Sequence, residues 1–267
     1  MPVICIISCK ILQDEIIWVL ENDPNIDDVF VVKNGNHFEF VEKLGQRNIS
    51  STVLPLEKIP EICKDNKEAD GPHTVIVDLL ELALHSRPEV LKKEVYNTVE
   101  SLYACSSGIL LFYGLCGNVL GDIEKDFESR GTGCRVRILK DDTSRVVDDC
   151  IGATLGGAAN YLKVLKSVSN VGTYLFTPMY ALAWREILSI DRMHRNPEKA
   201  LEMMKLTHEM VGYGRVAKIN TGLEYTRDFD TNIEKFAELF GFEVMELEGT
   251  QEIFTRCYRQ LKTEICS

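Results

Sequence analysis

Short apolar runs rich in β-branched residues alternate with longer amphipathic segments along most of the chain. This alternation constrains the fold more than any other feature of the sequence. The clearest apolar runs are Val3–Ile7, His73–Asp78 and Gly108–Tyr113. The last of these is apolar on both faces, as expected for a central strand of a parallel sheet. Strands that alternate with helical segments predict an α/β protein.

The pattern predicts about eight strands, most of them followed by a helix. We expect a doubly wound, mostly parallel arrangement with helices on both faces. Residues 1–267 form either one α/β unit or two similar lobes around a cleft, and the charged segment Ser189–Pro197 is the best candidate for a boundary between lobes. One continuous helix is predicted over Asp149–Lys166. Gly241 is predicted to end the helix that covers Ile233–Phe240, in the left-handed conformation.

Composition excludes several classes of protein. Of the 267 residues 45% are hydrophobic, which is enough to bury a core and excludes an intrinsically disordered chain. No segment approaches the roughly 20 apolar residues that a membrane-spanning helix needs, so no membrane association is expected. The net charge of -11 and the lack of a long Lys/Arg stripe disfavour a nucleic-acid partner.

The cysteines indicate a reducing compartment. There are nine, an odd number, and they are spread from Cys5 to Cys266, unlike the compact spacing of small secreted domains. The first residues lack the basic segment of an export signal, and Asp14 and Glu15 interrupt the apolar run. We therefore expect a cytoplasmic protein whose thiols are available for packing, metal binding or chemistry.

Three cysteines stand where a site is expected. In open parallel sheets the ligand crevice lies outside the carboxyl ends of the strands. Cys9, Cys116 and Cys150 each follow a predicted strand or begin the next helix. Because right-handed crossovers keep those strand ends at one edge, the three thiols are expected to converge on one crevice. A helix N-terminus there would lower a thiol pKa and favour the thiolate, which is the form that zinc binds.

Other residues near the strand ends are candidates to complete this site. His37 and Asp149 are candidates to complete or flank a metal site. Small and polar residues that are candidates to bind a cofactor are Gly114, Gly117, Asn118, Thr177, Thr221 and Gly222.

Each of these candidates also has a structural interpretation. Cys9 is also compatible with a small core residue, Asp149 with a helix N-cap and His37 with a solvated loop. The tyrosines at positions 113, 161 and 174 are expected to pack in the core rather than to contact a substrate.

Three segments resemble a known family. They are Phe112–Asn118, which contains Tyr-Gly-Leu-Cys-Gly, then Asp149–Ile151 with Asp-Cys-Ile, then Gly172–Pro178. The chain resembles, over nearly its whole length, an uncharacterised domain-of-unknown-function family found mainly in methanogenic archaea and anaerobic bacteria. The resemblance implies an association with corrinoid methyltransferase systems. A corrinoid protein or its methyltransferase would then be a partner, and the corrinoid would belong to that partner.

Two functions of different classes follow. The first is a metal-binding protein in which Cys9, Cys116 and Cys150 hold zinc with one position open, as in catalytic zinc sites. In corrinoid-linked methyl transfer such a zinc would bind a substrate thiol as a thiolate and make it a better nucleophile. The second is a non-catalytic accessory or binding module for a corrinoid protein or methyltransferase. Thiol redox chemistry ranks below both, because the sequence has no C-x-x-C pair.

Overall fold

The computed structural model describes residues 2–64, 72–131, 133–188, 190 and 195–266. Within these ranges the chain is an α/β structure with two separate sheets, and the pairings between the described strands are all parallel. The predicted fold class is therefore confirmed. Most of the predicted boundary at Ser189–Pro197 lies outside the described residues.

The first sheet has six strands, in the spatial order β3-β2-β4-β1-β5-β6. These are β1 (Val3–Cys9), β2 (Ile26–Val32), β3 (Thr52–Leu54), β4 (His73–Leu80), β5 (Gly108–Phe112) and β6 (Arg135–Ile138). From β1 the chain continues toward one edge of the sheet, and from the adjacent β5 it continues toward the other. Such a reversal in winding is where ligands bind in open α/β sheets, at the carboxyl ends of the strands.

Helices cover both faces of this sheet. The helices that precede the second sheet in the chain are α1 (Gln13–Glu21), α2 (His37–Gln46), α3 (Ile59–Lys64), α4 (Pro88–Tyr103), α5 (Ile123–Glu128), α6 (Cys150–Thr154) and α7 (Ala158–Ser167). Of these, α7 packs against the second sheet. Side chains of β1 alternate between two cores, as the period of a strand requires. Ile4 and Ile6 pack with residues of α1, whereas Cys5 and Ile7 pack with residues of α4.

The second sheet has three strands in the order β7-β8-β9: β7 (Gly172–Phe176), β8 (Tyr213–Asn220) and β9 (Glu243–Glu248). Its helices are α8 (Pro178–Ile187), α9 (Pro197–Val211) and α10 (Phe229–Phe240). The last helix, α11 (Glu252–Ile265), returns to the first sheet and packs on β5 and β6. The three-stranded unit is thus an insertion before the final helix of the six-stranded unit. None of the described helices has the length and apolar character needed to cross a membrane.

The prediction of one helix over Asp149–Lys166 was wrong. The chain forms α6 and α7 instead, separated by Gly156 and Gly157 with φ of 83° and 100°. A Cβ atom at position 157 would lie 2.6 Å from the Cβ of Asp141, so this close approach requires glycine. The predicted left-handed cap at Gly241 is confirmed, with φ of 71°.

Candidate functional site

The loop after β5 is bound to the segment that precedes α6. The N–H of Leu115 donates to the carbonyl of Val147 over 2.8 Å, and the N–H of Cys116 donates to the carbonyl of Asp148 over 3.1 Å. Gly114 makes this contact sterically feasible, because a Cβ there would lie 2.4 Å from the oxygen of Val147. These contacts bring Cys116 close enough to Cys150 that a thiolate at position 116 would raise the pKa of Cys150.

Replacing Gly114 by Ala is expected to destabilise the protein by about 2 kcal/mol, because the added methyl group meets backbone atoms that cannot rotate away. Gly45→Ala is the matched control. No atom of the described residues lies within 4 Å of a Cβ at position 45, and the residue is in α2, so alanine should stabilise the protein by about 1 kcal/mol. Thermal unfolding of both variants checks the prediction, which an equal or higher stability of Gly114→Ala would contradict.

Three successive residues of the same loop have left-handed backbone conformations. Their φ angles are 46° at Cys116, 78° at Gly117 and 64° at Asn118. A residue with a side chain rarely adopts this region, and holding one there costs on the order of 1–3 kcal/mol. The surrounding contacts therefore fix the position of Cys116 against its local preference. Such backbone strain is concentrated at functional sites.

A pocket of about 490 Å³ lies between the carboxyl edge of the six-stranded sheet and the three-stranded sheet. Cys9, Cys116 and Cys150 all line it, from the end of β1, the loop after β5 and the start of α6, and we call it the thiol pocket. Its opposite wall comes from the second sheet and includes Tyr174 of β7 and Tyr213 of β8. The structure thus brings together the three cysteines selected from the sequence.

Burial has the largest effect on the pKa values of these three thiols. It raises the pKa of Cys9 to about 12 and that of Cys116 to about 11. The pKa of Cys150 lies well above its ordinary value because of burial and then because of the neighbouring Asp149. The expected lowering by a helix N-terminus was therefore wrong. At neutral pH the metal-free protein holds three neutral thiols.

Tyr113 adds a polar atom without a partner to the thiol pocket. The residue is 3% exposed, and its hydroxyl has no hydrogen-bond partner among the described residues. Burial, and then the nearby Cys9 and Cys116, raise the pKa of this hydroxyl well above its usual value. The ring packs in the core, as predicted, but the side chain also lines the pocket. An unpaired buried hydroxyl beside three thiols is the type of exception that a bound ligand explains.

A buried polar cluster lies at the start of α1. The ammonium of Lys43 is 2.8 Å from a carboxylate oxygen of Asp14 and 2.7 Å from the hydroxyl of Thr226, which belongs to the three-stranded unit. Glu15 is 2% exposed, and one of its oxygens has no partner among the described residues. Burial and then Asp14 raise the pKa of Glu15 to about 8. Ionisation of Glu15 would raise the pKa of Cys150 further, so the cluster lies near the thiol pocket.

Asp149 and Gly117 also line the thiol pocket. Asp149 has the capping role weighed for it as well, because its carboxylate accepts from the N–H of Gly152 over 2.7 Å at the start of α6. Its carboxylate also accepts from the hydroxyl of Tyr161 over 3.4 Å. Burial is the largest cause of the raised pKa of Asp149.

The other sequence candidates lie elsewhere. His37 does not line the pocket. The interpretation of a solvated loop was wrong, because His37 is buried as the first residue of α2, where its Nδ1 contacts the backbone of Asn34. Thr177 caps α8 by accepting from the N–H of Tyr180 over 3.3 Å. The remaining cofactor candidates are outside the pocket lining as well: Gly114, Asn118, Thr221 and Gly222.

The cysteines border a common space without forming a closed cluster. Among the side chains of the described residues, no group of three or more His, Cys, Asp or Glu is arranged to hold a metal ion. The three sulfurs therefore surround the pocket and do not meet at one point. Any ion held by all three would have to draw them together.

Comparison with known proteins identifies a family. The model of a family described as "Protein of unknown function (DUF1638)" matches residues 79–258, more than half of the chain. The chain belongs to this family. The matched region contains Cys116, Asp149 and Cys150, while Cys9 precedes it. No curated protein and no solved structure matches the chain significantly.

Proposed function

We propose that this chain is a metal-binding protein that holds zinc through the thiolates of Cys9, Cys116 and Cys150. The observation that carries the proposal is that three half-buried cysteines from three separate elements line one pocket. Thiolates are preferred zinc ligands, and three protein ligands leave a position open for a substrate. Asp149 lines the same pocket and is the candidate to flank the ion, whereas His37 is placed elsewhere.

The donor set fits zinc chemically, and binding must rearrange it. Each sulfur has to come within about 2.3 Å of one ion, which requires side-chain rotation around the pocket. The high thiol pKa values mean that zinc displaces protons when it binds, so affinity should increase with pH. The unpaired hydroxyl of Tyr113 is a donor available to one of the resulting thiolates.

The resemblance supports a role for this site in corrinoid-linked methyl transfer. At its open position the zinc would hold a substrate thiol as a thiolate and make it a better nucleophile. In this proposal the corrinoid stays on a partner, either a corrinoid protein or its methyltransferase. The protein would act in the cytoplasm, where reducing conditions keep the three thiols available.

One observation favours the second candidate, an accessory module without chemistry of its own. Helices α7 and α9 expose several large apolar side chains: Leu162, Leu165, Met203, Leu206 and Met210. Exposed apolar patches mark interaction sites in soluble proteins. A corrinoid protein or methyltransferase that co-purifies from the native cell with zinc-free protein would support this candidate over the zinc protein.

The test is metal analysis of protein purified without oxygen, stripped with a chelator and reloaded with zinc. We expect about one zinc per chain in the wild type and less than about 0.2 in Cys116→Ser. Cys134→Ser is the matched control, because Cys134 is a buried cysteine that precedes β6, at the opposite edge of the sheet from the pocket. It should retain the full zinc content. Zinc content that is below about 0.2 per chain in the wild type, or that is unchanged in Cys116→Ser, would overturn the proposal.

A further inference from the structure

The side chains around the thiol pocket restrict what it can bind. Five tyrosines line it: Tyr113, Tyr161, Tyr174, Tyr180 and Tyr213. Glu81 and Asp149 add carboxyl groups, and none of the described residues in the lining is Lys, Arg or His. Among the described residues, the lining is therefore rich in aromatic rings and has two carboxyl groups but no basic side chain.

This lining disfavours anionic ligands. Moving a phosphate or carboxylate out of water is costly unless a cation or several donors replace the water. The net charge of -11 adds repulsion at longer range. A cation has the opposite balance, because the faces of aromatic rings and the carboxylates both attract it.

Packing fixes several of these rings in place. The ring centres of Tyr174 and Tyr213 are 4.8 Å apart, and the ring of Tyr180 stacks on Phe176 at 4.6 Å. Across the pocket, the bond from Tyr161 holds the carboxylate of Asp149. Rings that are held before binding lose little conformational entropy when a ligand arrives.

The apolar part of the lining selects among cations. Leu91, Leu165 and Leu175 contribute aliphatic surface to the pocket. A metal ion or a primary ammonium needs several oxygen acceptors, whereas an alkylated ammonium needs few and presents alkyl groups to apolar surface. The lining therefore favours a cation whose charge is covered by alkyl groups.

We propose that the thiol pocket binds an alkylated organic ammonium, with tyrosine rings around the nitrogen and Asp149 and Glu81 balancing its charge. The inference rests on the proposed function in that it names the ligand class of the same pocket. One zinc held by three thiolates has a net negative charge, so the two ligands are electrostatically compatible.

The test compares two probes of the same shape by calorimetry, with the metal-free and the zinc-loaded protein. Choline carries a trimethylammonium group, and 3,3-dimethyl-1-butanol replaces it with a neutral tert-butyl group. We expect choline to bind at least about tenfold more tightly than the neutral probe. Tyr213, at the exposed edge of the pocket, gives the matched variants: Tyr213→Leu should weaken choline binding about fivefold, while Tyr213→Phe, which keeps the ring, should not.

Equal affinity for the two probes, or no choline binding in either form of the protein, would overturn this inference. So would binding of inorganic phosphate in competition with choline. Failure of the zinc proposal is separately visible: choline would then be preferred by a protein that takes up no zinc. Conversely, the protein could bind zinc fully, in a way that depends on Cys116, and show no preference for choline. That result would support the zinc proposal and overturn this inference.

Discussion

Tyr113→Phe is expected to weaken zinc binding by about 10- to 100-fold while the metal-free protein becomes up to about 1 kcal/mol more stable. The two effects have opposite signs because the hydroxyl has no partner among the described residues in the metal-free protein but stands beside three thiols. Phenylalanine keeps the ring in the core and removes the unpaired polar group. In the zinc-loaded protein the same change removes a donor to a metal-bound thiolate.

Competition with a chromophoric chelator measures the zinc affinity, and chemical denaturation measures the stability. The matched control is Tyr103→Phe, since the hydroxyl of Tyr103 donates to the carbonyl of Phe127 over 2.7 Å in the core. That variant should lose about 1 kcal/mol of stability and keep its zinc affinity. If Tyr113→Phe bound zinc as tightly as the wild type, the hydroxyl would have no role at the metal.

Glu15→Gln is expected to change how stability depends on pH. The pKa of Glu15 rises from an ordinary 4.5 to about 8 on folding, so the folded state holds this proton more tightly. Below pH 4.5 the carboxyl is protonated in both the folded and the unfolded state, so its ionisation does not lower the free energy of unfolding. As pH rises toward 8, Glu15 ionises in the unfolded state but stays protonated in the folded state. The unfolded state is thereby favoured, so the wild type loses stability, whereas the variant with a neutral amide does not. The stability of the variant relative to the wild type should grow by about 3 kcal/mol between pH 5 and pH 8.

Denaturation of metal-free protein at several pH values measures how the stability difference between variant and wild type depends on pH. A stability change that is the same at every pH, caused by the altered side chain itself, does not affect this dependence. Glu39→Gln is the control of opposite sign. Burial raises the pKa of Glu39, but Lys43 and Lys10 outweigh burial and lower it overall. Glu39 therefore contributes stability as pH rises through the acidic range, and its amide variant should lose stability relative to the wild type there. Parallel pH profiles of Glu15→Gln and wild type would contradict the burial of an ionisable Glu15.

The main features of the fold were predictable because strands of a parallel sheet are buried on both faces. Runs such as Gly108–Tyr113 therefore stand out as apolar, and the residues directly after them lie at the carboxyl edge. This is why Cys9 and Cys116 could be placed near each other from sequence alone. Strand β3 was not predicted, because its three residues are too few to show a period.

The features that sequence could not predict depend on contacts distant along the chain. The break between α6 and α7 comes from the approach of Gly157 to Asp141. The high thiol pKa values come mainly from burial, which at Cys150 outweighs a helix N-terminus already capped by Asp149. Glu15 has the position of an ordinary acidic residue in the first turn of a helix, so only its burial distinguishes it.

The insertion of the three-stranded unit determines how its sheet can move relative to the other. Its two connections to the six-stranded unit run side by side, since the N–H of Thr250 donates to the carbonyl of Thr154 over 2.8 Å. Two adjacent attachments are compatible with rotation about a single hinge next to Gly156 and Gly157, both of which have positive φ angles. Rotation about this hinge would move Tyr174 and Tyr213 away from the three cysteines and break the contact between Lys43 and Thr226. A ligand that contacts both the cysteines and these tyrosines would therefore stabilise the closed arrangement, because part of its binding free energy would be lost if the two units rotated apart.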